Sequence, residues 1–174
     1  KDRLARIKRW HYDARGRLLR LDNGNGAAYR FDYDPVGRLL REERVDGTTL
    51  AFSYGEAGQV ERVVRSGNTD RDDDILFHGY QYDAAGRLTA RTHRHAAFYY
   101  QHDSMGRLTS LRREPTAEGL ALGIDEDNIH LGYGAAGLPL TEAGREGTLN
   151  RTYDALGNLT GMMLPDGNAY RWLH

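Results

Sequence analysis

The chain contains no cysteine. Disulfides and cysteine-based zinc sites are therefore excluded, although the compartment stays open. No apolar run approaches the roughly 20 residues a spanning helix requires, and no signal-peptide pattern opens the chain. The formal net charge is only -1. Such a balance gives no global pull on nucleic acid or anionic lipid, so neither a nucleic-acid partner nor a membrane span is expected. There is no initiator methionine at position 1, which reads as a slice of something longer. Glycine-rich phosphate loops and GxSxG nucleophile elbows are missing, and Ser53, Ser66, Ser104 and Ser110 sit in no nucleophile signature. No enzyme and no cofactor is expected of this stretch. Lysine is nearly absent: of 24 basic residues only Lys1 and Lys8 are not arginine. Arginine stacks on aromatic rings and forms planar bidentate pairs, although a GC-rich genome gives the same bias.

What is present is glycine and tyrosine, 21 and 11 of them, an excess no disordered charged tail would show. A chain of 174 residues is also long enough for one domain with a hydrophobic core. Much of the glycine and tyrosine falls in one motif, aromatic-Asp-x-x-Gly-x-Leu. Good copies start at Tyr12, Tyr33, Tyr82 and Tyr153, and degenerate ones at Tyr54, His102 and Tyr133. Successive starts are 21, 21, 28, 20, 31 and 20 residues apart. The base period is thus 20 to 21, with insertions near 66–74 and 113–128. The final "AYRWLH" aligns with "AYRFDY" at Ala28–Tyr33, which puts His174 on the aromatic position of a further copy. The expectation is one array of seven to eight repeats over 1–174, cut from a longer chain.

The motif is turn chemistry. Asp13, Asp34, Asp83, Asp103 and Asp154 stand where a turn's first residue accepts a hydrogen bond from the backbone two residues on. Gly16, Gly37, Gly58, Gly86, Gly106, Gly137 and Gly157 stand three residues after that position, or after the Gly55 and Gly134 that replace it, where positive φ carries no steric cost. A type I turn followed by such a glycine is a hairpin loop with a bulge, and Pro35 suits its second position. The flanks alternate: Tyr29, Phe31 and Tyr33 on one strand face, Arg30 and Asp32 on the other. Further turn signals lie between motifs at Asn23-Gly24, Asp46-Gly47 and Asp166-Gly167. Each period is two strands and two turns, with one short helical turn near Thr116–Ala121. The fold class is all-β, an antiparallel hairpin meander.

Three other patterns are candidate sites. Asn68, Asp70 and Asp72 begin an EF-hand-like spacing, but Asp73 stands where its glycine is needed and Gly79 where its bidentate glutamate is needed. A solvated acidic loop fits better. His93, His95 and His102 would converge on zinc if the chain turned at Ala96-Ala97, but a tight Ala-Ala turn is poor and His102 has a motif role. The motif tyrosines offer a stacking surface for sugars or bases, yet their regular spacing favours cross-strand packing. The repeated aspartates are turn formers rather than an acid–base pair.

The runs from Tyr12, Tyr33, Tyr82 and Tyr153 resemble the YD repeats of bacterial Rhs (rearrangement hotspot) proteins. They are similar also to the repeats of insecticidal Tc toxin components and, more distantly, of teneurins. The resemblance covers Trp10 to His174. It implies a curled strip of a larger hollow β-shell, or cocoon, built from the rest of the same array and enclosing a C-terminal toxin domain. It further implies a secreted or delivered bacterial effector, sent by type VI secretion or a similar route or held at the cell surface. A spike protein, a chaperone and an immunity protein would be partners of the parent. An adhesion module binding glycans or a protein partner, or a Tc-like cocoon component, are the other roles the resemblance allows. "DPVG" at Asp34–Gly37 echoes the family's cleavage region but sits at a regular repeat position and reads as a turn; the family's autoprotease core is not seen.

Overall fold

A computed structural model describes residues 8–67 and 76–173. The acidic stretch with Asn68, Asp70 and Asp72, and His174, lie outside the described residues. Alternation of bulky apolar with polar residues, broken at intervals by turns of which most contain glycine, yields strands through most of the described chain. The chain forms two compact units, 1–80 and 81–174. The first holds β1 (Arg9–Tyr12), β2 (Leu18–Asp22), β3 (Ala28–Tyr33), β4 (Leu39–Glu43), β5 (Thr49–Tyr54) and β6 (Val60–Ser66). β7 (Leu76–Tyr82) carries the division. The second holds β8 (Leu88–His93), β9 (Ala96–His102), β10 (Leu108–Pro115), a short helix α1 (Ala117–Ala121), β11 (Asp127–Tyr133), β12 (Pro139–Gly144), β13 (Gly147–Tyr153), β14 (Leu159–Met163) and β15 (Ala169–Arg171). Strand order is chain order and neighbours are antiparallel. The fold is an all-β antiparallel meander of hairpins.

Every YD loop carries the same backbone wiring. In the first, the Asp13 N–H donates to the Arg17 carbonyl at 2.9 Å, and the Gly16 N–H donates to the Asp13 carbonyl at 3.0 Å. Gly16 sits at φ 79°, a left-handed conformation that glycine adopts without penalty. The strand register shifts at His11/Tyr12, so the loop closes with a bulge. Turns between motifs use the same wiring, from Asn23 to Ala27 and from Arg44 to Thr48. In the former the left-handed glycine is Gly26, not the Gly24 of the Asn-Gly pair.

The expected hydrophobic core is the clearest departure. Among the described residues only Ala90 and Ala96 are buried hydrophobics, and no large side chain is fully buried. Tyr29, Phe31 and Tyr33 are half-buried while Arg30 and Asp32 are exposed. Side chains here pack against their cross-strand neighbours, so burial is shared along the sheet instead of concentrated.

The second insertion folds back on a hairpin. The β8–β9 turn falls at Arg94-His95, and Ala96-Ala97 belong to β9, so the turn that a histidine cluster would need is displaced. Thr116 caps α1, its Oγ1 accepting from the Gly119 N–H at 3.1 Å. The same hydroxyl donates to the Arg94 carbonyl at 2.8 Å, and the Thr116 N–H donates to the His95 carbonyl at 2.9 Å. A side chain at Gly119 would meet the His95 carbonyl, so only glycine lets α1 lie this close.

Candidate functional site

The repeated element at the YD loops is the structural site the residues build. Asp13 Oδ1 accepts from the Arg15 and Arg17 backbone amides at 2.8 and 2.9 Å, and Oδ2 accepts from Arg17 Nε at 2.6 Å. Asp83 and Asp103 repeat this with Arg87 and Arg107. Asp34 takes the Arg38 amide at 2.8 Å and Arg38 Nε at 2.6 Å. Asp154 keeps the two amide bonds and takes Asn158 Nδ2 at 2.8 Å where the others have arginine. These carboxylates are committed as acceptors. The amides of Arg17, Arg87 and Arg107 hold Asp13, Asp83 and Asp103 below the usual carboxylate pKa, helped by the guanidiniums. For Asp34, burial acts first and upward, but the hydrogen bonds from Arg38 outweigh it and leave the group lowered.

The same arginine reaches the next motif along the chain. The Arg17 guanidinium lies 5.1 Å from the Tyr33 ring centre, and its Nη1 donates to the Asp34 carbonyl at 3.1 Å. Arg38 stands 4.7 Å from Tyr54, and Arg107 4.6 Å from Tyr133. Arg87 Nη1 donates to the Asp103 carbonyl at 3.0 Å beside His102. The tyrosine answers in the other direction. Tyr33 Oη donates to the Leu18 carbonyl at 3.0 Å, Tyr54 to Leu39 at 2.7 Å, Tyr133 to Leu108 at 2.8 Å, and Tyr153 to Pro139 at 2.9 Å. Each acceptor stands six residues after the previous motif's aromatic position. Arginine can hold carboxylate, ring and carbonyl at once because its planar fork donates in several directions, which an ammonium does not match. Tyr12, at the end of β1, is 59% exposed and Tyr82 ends β7.

The two motifs without aspartate keep the loop. Gly58 and Gly137 sit at φ 86° and 81° with the standard amide–carbonyl pair. The space a Cβ on Gly55 would need is filled by the Glu61 carboxyl. At Gly134 the Leu140 Cδ1 comes within 3.3 Å of that position. Both intruders lie six residues after the missing aspartate, a replacement visible only in three dimensions.

The histidine candidates are not brought together. His93 ends β8 and His95 lies in the turn, with rings 6.0 Å apart, edge to face, and the His95 N–H donates to His93 Nδ1 at 3.2 Å. His102 is at the opposite end of β9. Among the described residues no group of three or more histidine, aspartate or glutamate residues is placed to hold a metal ion.

These loops, joined motif to motif by an arginine and a tyrosine, match a known family. The Teneurin YD-shell family matches residues 3–126. The chain belongs to the YD-shell family. No curated protein matches it. Among solved structures, the TcdB2–TccC3 crystal structure is similar at TM-score 0.73 and 16% identity, over 94% of this chain and 9% of that one. TcdB2–TccC3–Cdc42 gives TM-score 0.72 at 15% identity with the same coverage. The Photorhabdus luminescens Tc holotoxin pore carrying a TccC3 variant gives 0.50 at 13%, over 90% of this chain and 12% of that one. At these identities the likeness is one of fold. The YD-shell chain thus spans about a tenth of the solved chains it resembles. No helix among its described residues is long and apolar enough to cross a membrane.

Proposed function

We propose that this chain is a length of wall in a bacterial toxin shell, enclosing a C-terminal toxin domain of its parent until delivery by type VI secretion or a similar route. The rest of the shell and the enclosed domain are its direct partners. A spike protein, a chaperone and an immunity protein would act on the parent. The observation that carries the reading is the loop-to-loop clamp. It commits the motif aspartates to turn amides and gives each clamped arginine and tyrosine a neighbouring repeat to hold, so the motif ties one repeat to the next. YD-shell membership supports the wall, and the Tc toxin names of its structural neighbours support a toxin as content. The test is limited proteolysis of the full-length parent. The toxin domain should resist protease in the wild type and become cleavable in an Arg38→Ala, Arg107→Ala variant. A toxin domain cut equally fast in both proteins refutes containment by this wall.

A further inference from the structure

A second feature is not used by the clamp. The returning stretch after α1, the β12–β13 turn and Pro165 surround a half-open groove of about 610 Å³. That is within the range, roughly 300–1,000 Å³, of clefts that take small ligands. Its apolar lining is Ile124, Ile129, Leu149 and Pro165. Leu131, Glu142 and Leu149 stand opposite one another across β11, β12 and β13. Ile129, Leu131 and Tyr133 alternate along β11, so Ile129 lies on the strand face that carries the motif tyrosine. Gly147 keeps this end of the groove narrow: at φ 117° it lets Pro165 approach to 2.9 Å of where a Cβ would be.

The groove's charge is one-sided. Five carboxylates line it against the guanidiniums of Arg113 and Arg145. Three of the five already hold an arginine of this chain: Asp125 takes Arg145 at 2.9 Å, Glu142 takes Arg151 at 2.9 Å, and Asp127 faces Arg113 at 3.8 Å. Glu126 and Glu146 make no side-chain ion pair or hydrogen bond among the described residues, and both are exposed. We infer that this groove binds an arginine-bearing, partly aliphatic polypeptide segment. Its aliphatic parts would lie on Ile129 and Leu149, and its guanidiniums would meet Glu126 and Glu146. The chemistry is the one the groove uses for its own arginines, a planar fork against a carboxylate with an apolar stem beneath. The assignment concerns the groove by itself and stands or falls apart from the containment role.

The test is fluorescence anisotropy on the full chain with two labelled hexapeptides, one alternating isoleucine with arginine and one alternating isoleucine with glutamate. The arginine peptide should bind saturably, more weakly as salt rises, and the glutamate peptide should not. The Glu126→Gln, Glu146→Gln variant should lose about fivefold in affinity, the scale set by two partly exposed ion pairs. Glu56→Gln, a substitution on an exposed turn far along the sequence, should change nothing. Both variants should keep the wild-type circular dichroism spectrum. Equal binding of the two peptides, or an unchanged affinity in the double variant, overturns the assignment.

Discussion

At the scale of single residues the glycines carry more of the motif than the aspartates do. Gly55 and Gly134 replace the aspartate and the loop survives, whereas all seven motif glycines adopt positive φ. Gly86 isolates the backbone effect. At φ 78° it has no atom within 4 Å of where a Cβ would stand, so a larger residue there meets strain and no clash. Gly86→Val should therefore destabilise by about 1–3 kcal/mol, and Gly86→Asn by less, because asparagine tolerates the left-handed region. Gly37→Val, at φ 97°, should behave as Gly86→Val does. Thermal melting followed by circular dichroism reads all three. Equal melting of wild type and both valine variants would show that these loops are not the bulged turns described.

At the scale of the element the unit of stability is a loop together with the next motif's tyrosine. Tyr54 Oη donates to the Leu39 carbonyl at 2.7 Å while its ring lies under Arg38. Tyr54→Phe removes the hydroxyl and leaves the ring, so it should cost about 0.5–1.5 kcal/mol. Arg38→Lys should also destabilise, because lysine cannot bind Asp34 through a planar fork. Urea unfolding measures both, and a Tyr54→Phe midpoint equal to wild type would remove the hydroxyl from the clamp. Much of this element was legible in the sequence. The motif spacing places the loops, the Asp-x-x-Gly order places the bulge, and Thr116 marks the start of α1. The arginine's second partner was not legible, because it lies about 16 residues away and depends on strand register. Glu61 and Leu140 were hidden for the same reason: nothing in the order of residues says that the residue six places after a missing aspartate folds back over its position. The core was over-expected because chain length speaks for a buried interior only when a second layer exists to cover the sheet.

At the scale of the whole molecule, stability is spread over many similar loops, as in other repeat proteins. Among the described residues no large side chain is fully buried, so the hydrogen-bonded carboxylates matter more than in a globular domain. Asp13, Asp22, Asp34 and Asp46 in the first unit, and Asp83 and Asp103 in the second, are all lowered from the ordinary value of 3.8. A lowered folded-state pKa means the unfolded chain binds protons first as pH falls. The stabilisation is therefore complete above pH 3.8 and is lost progressively below it, as pH descends through the folded-state values. The urea midpoint should be flat from pH 7 to about pH 5 as far as these groups are concerned, and should drop as the pH falls below about 4. Asparagine is the discriminating substitution, because Asn23 already caps its loop with the same two amide bonds that the aspartates accept. Asp34→Asn with Asp83→Asn should lower the midpoint at pH 7 and make the acid drop shallower, since two of the titrating groups are gone. An acid drop as steep in that variant as in the wild type would place the acid sensitivity outside the loops of Asp34 and Asp83.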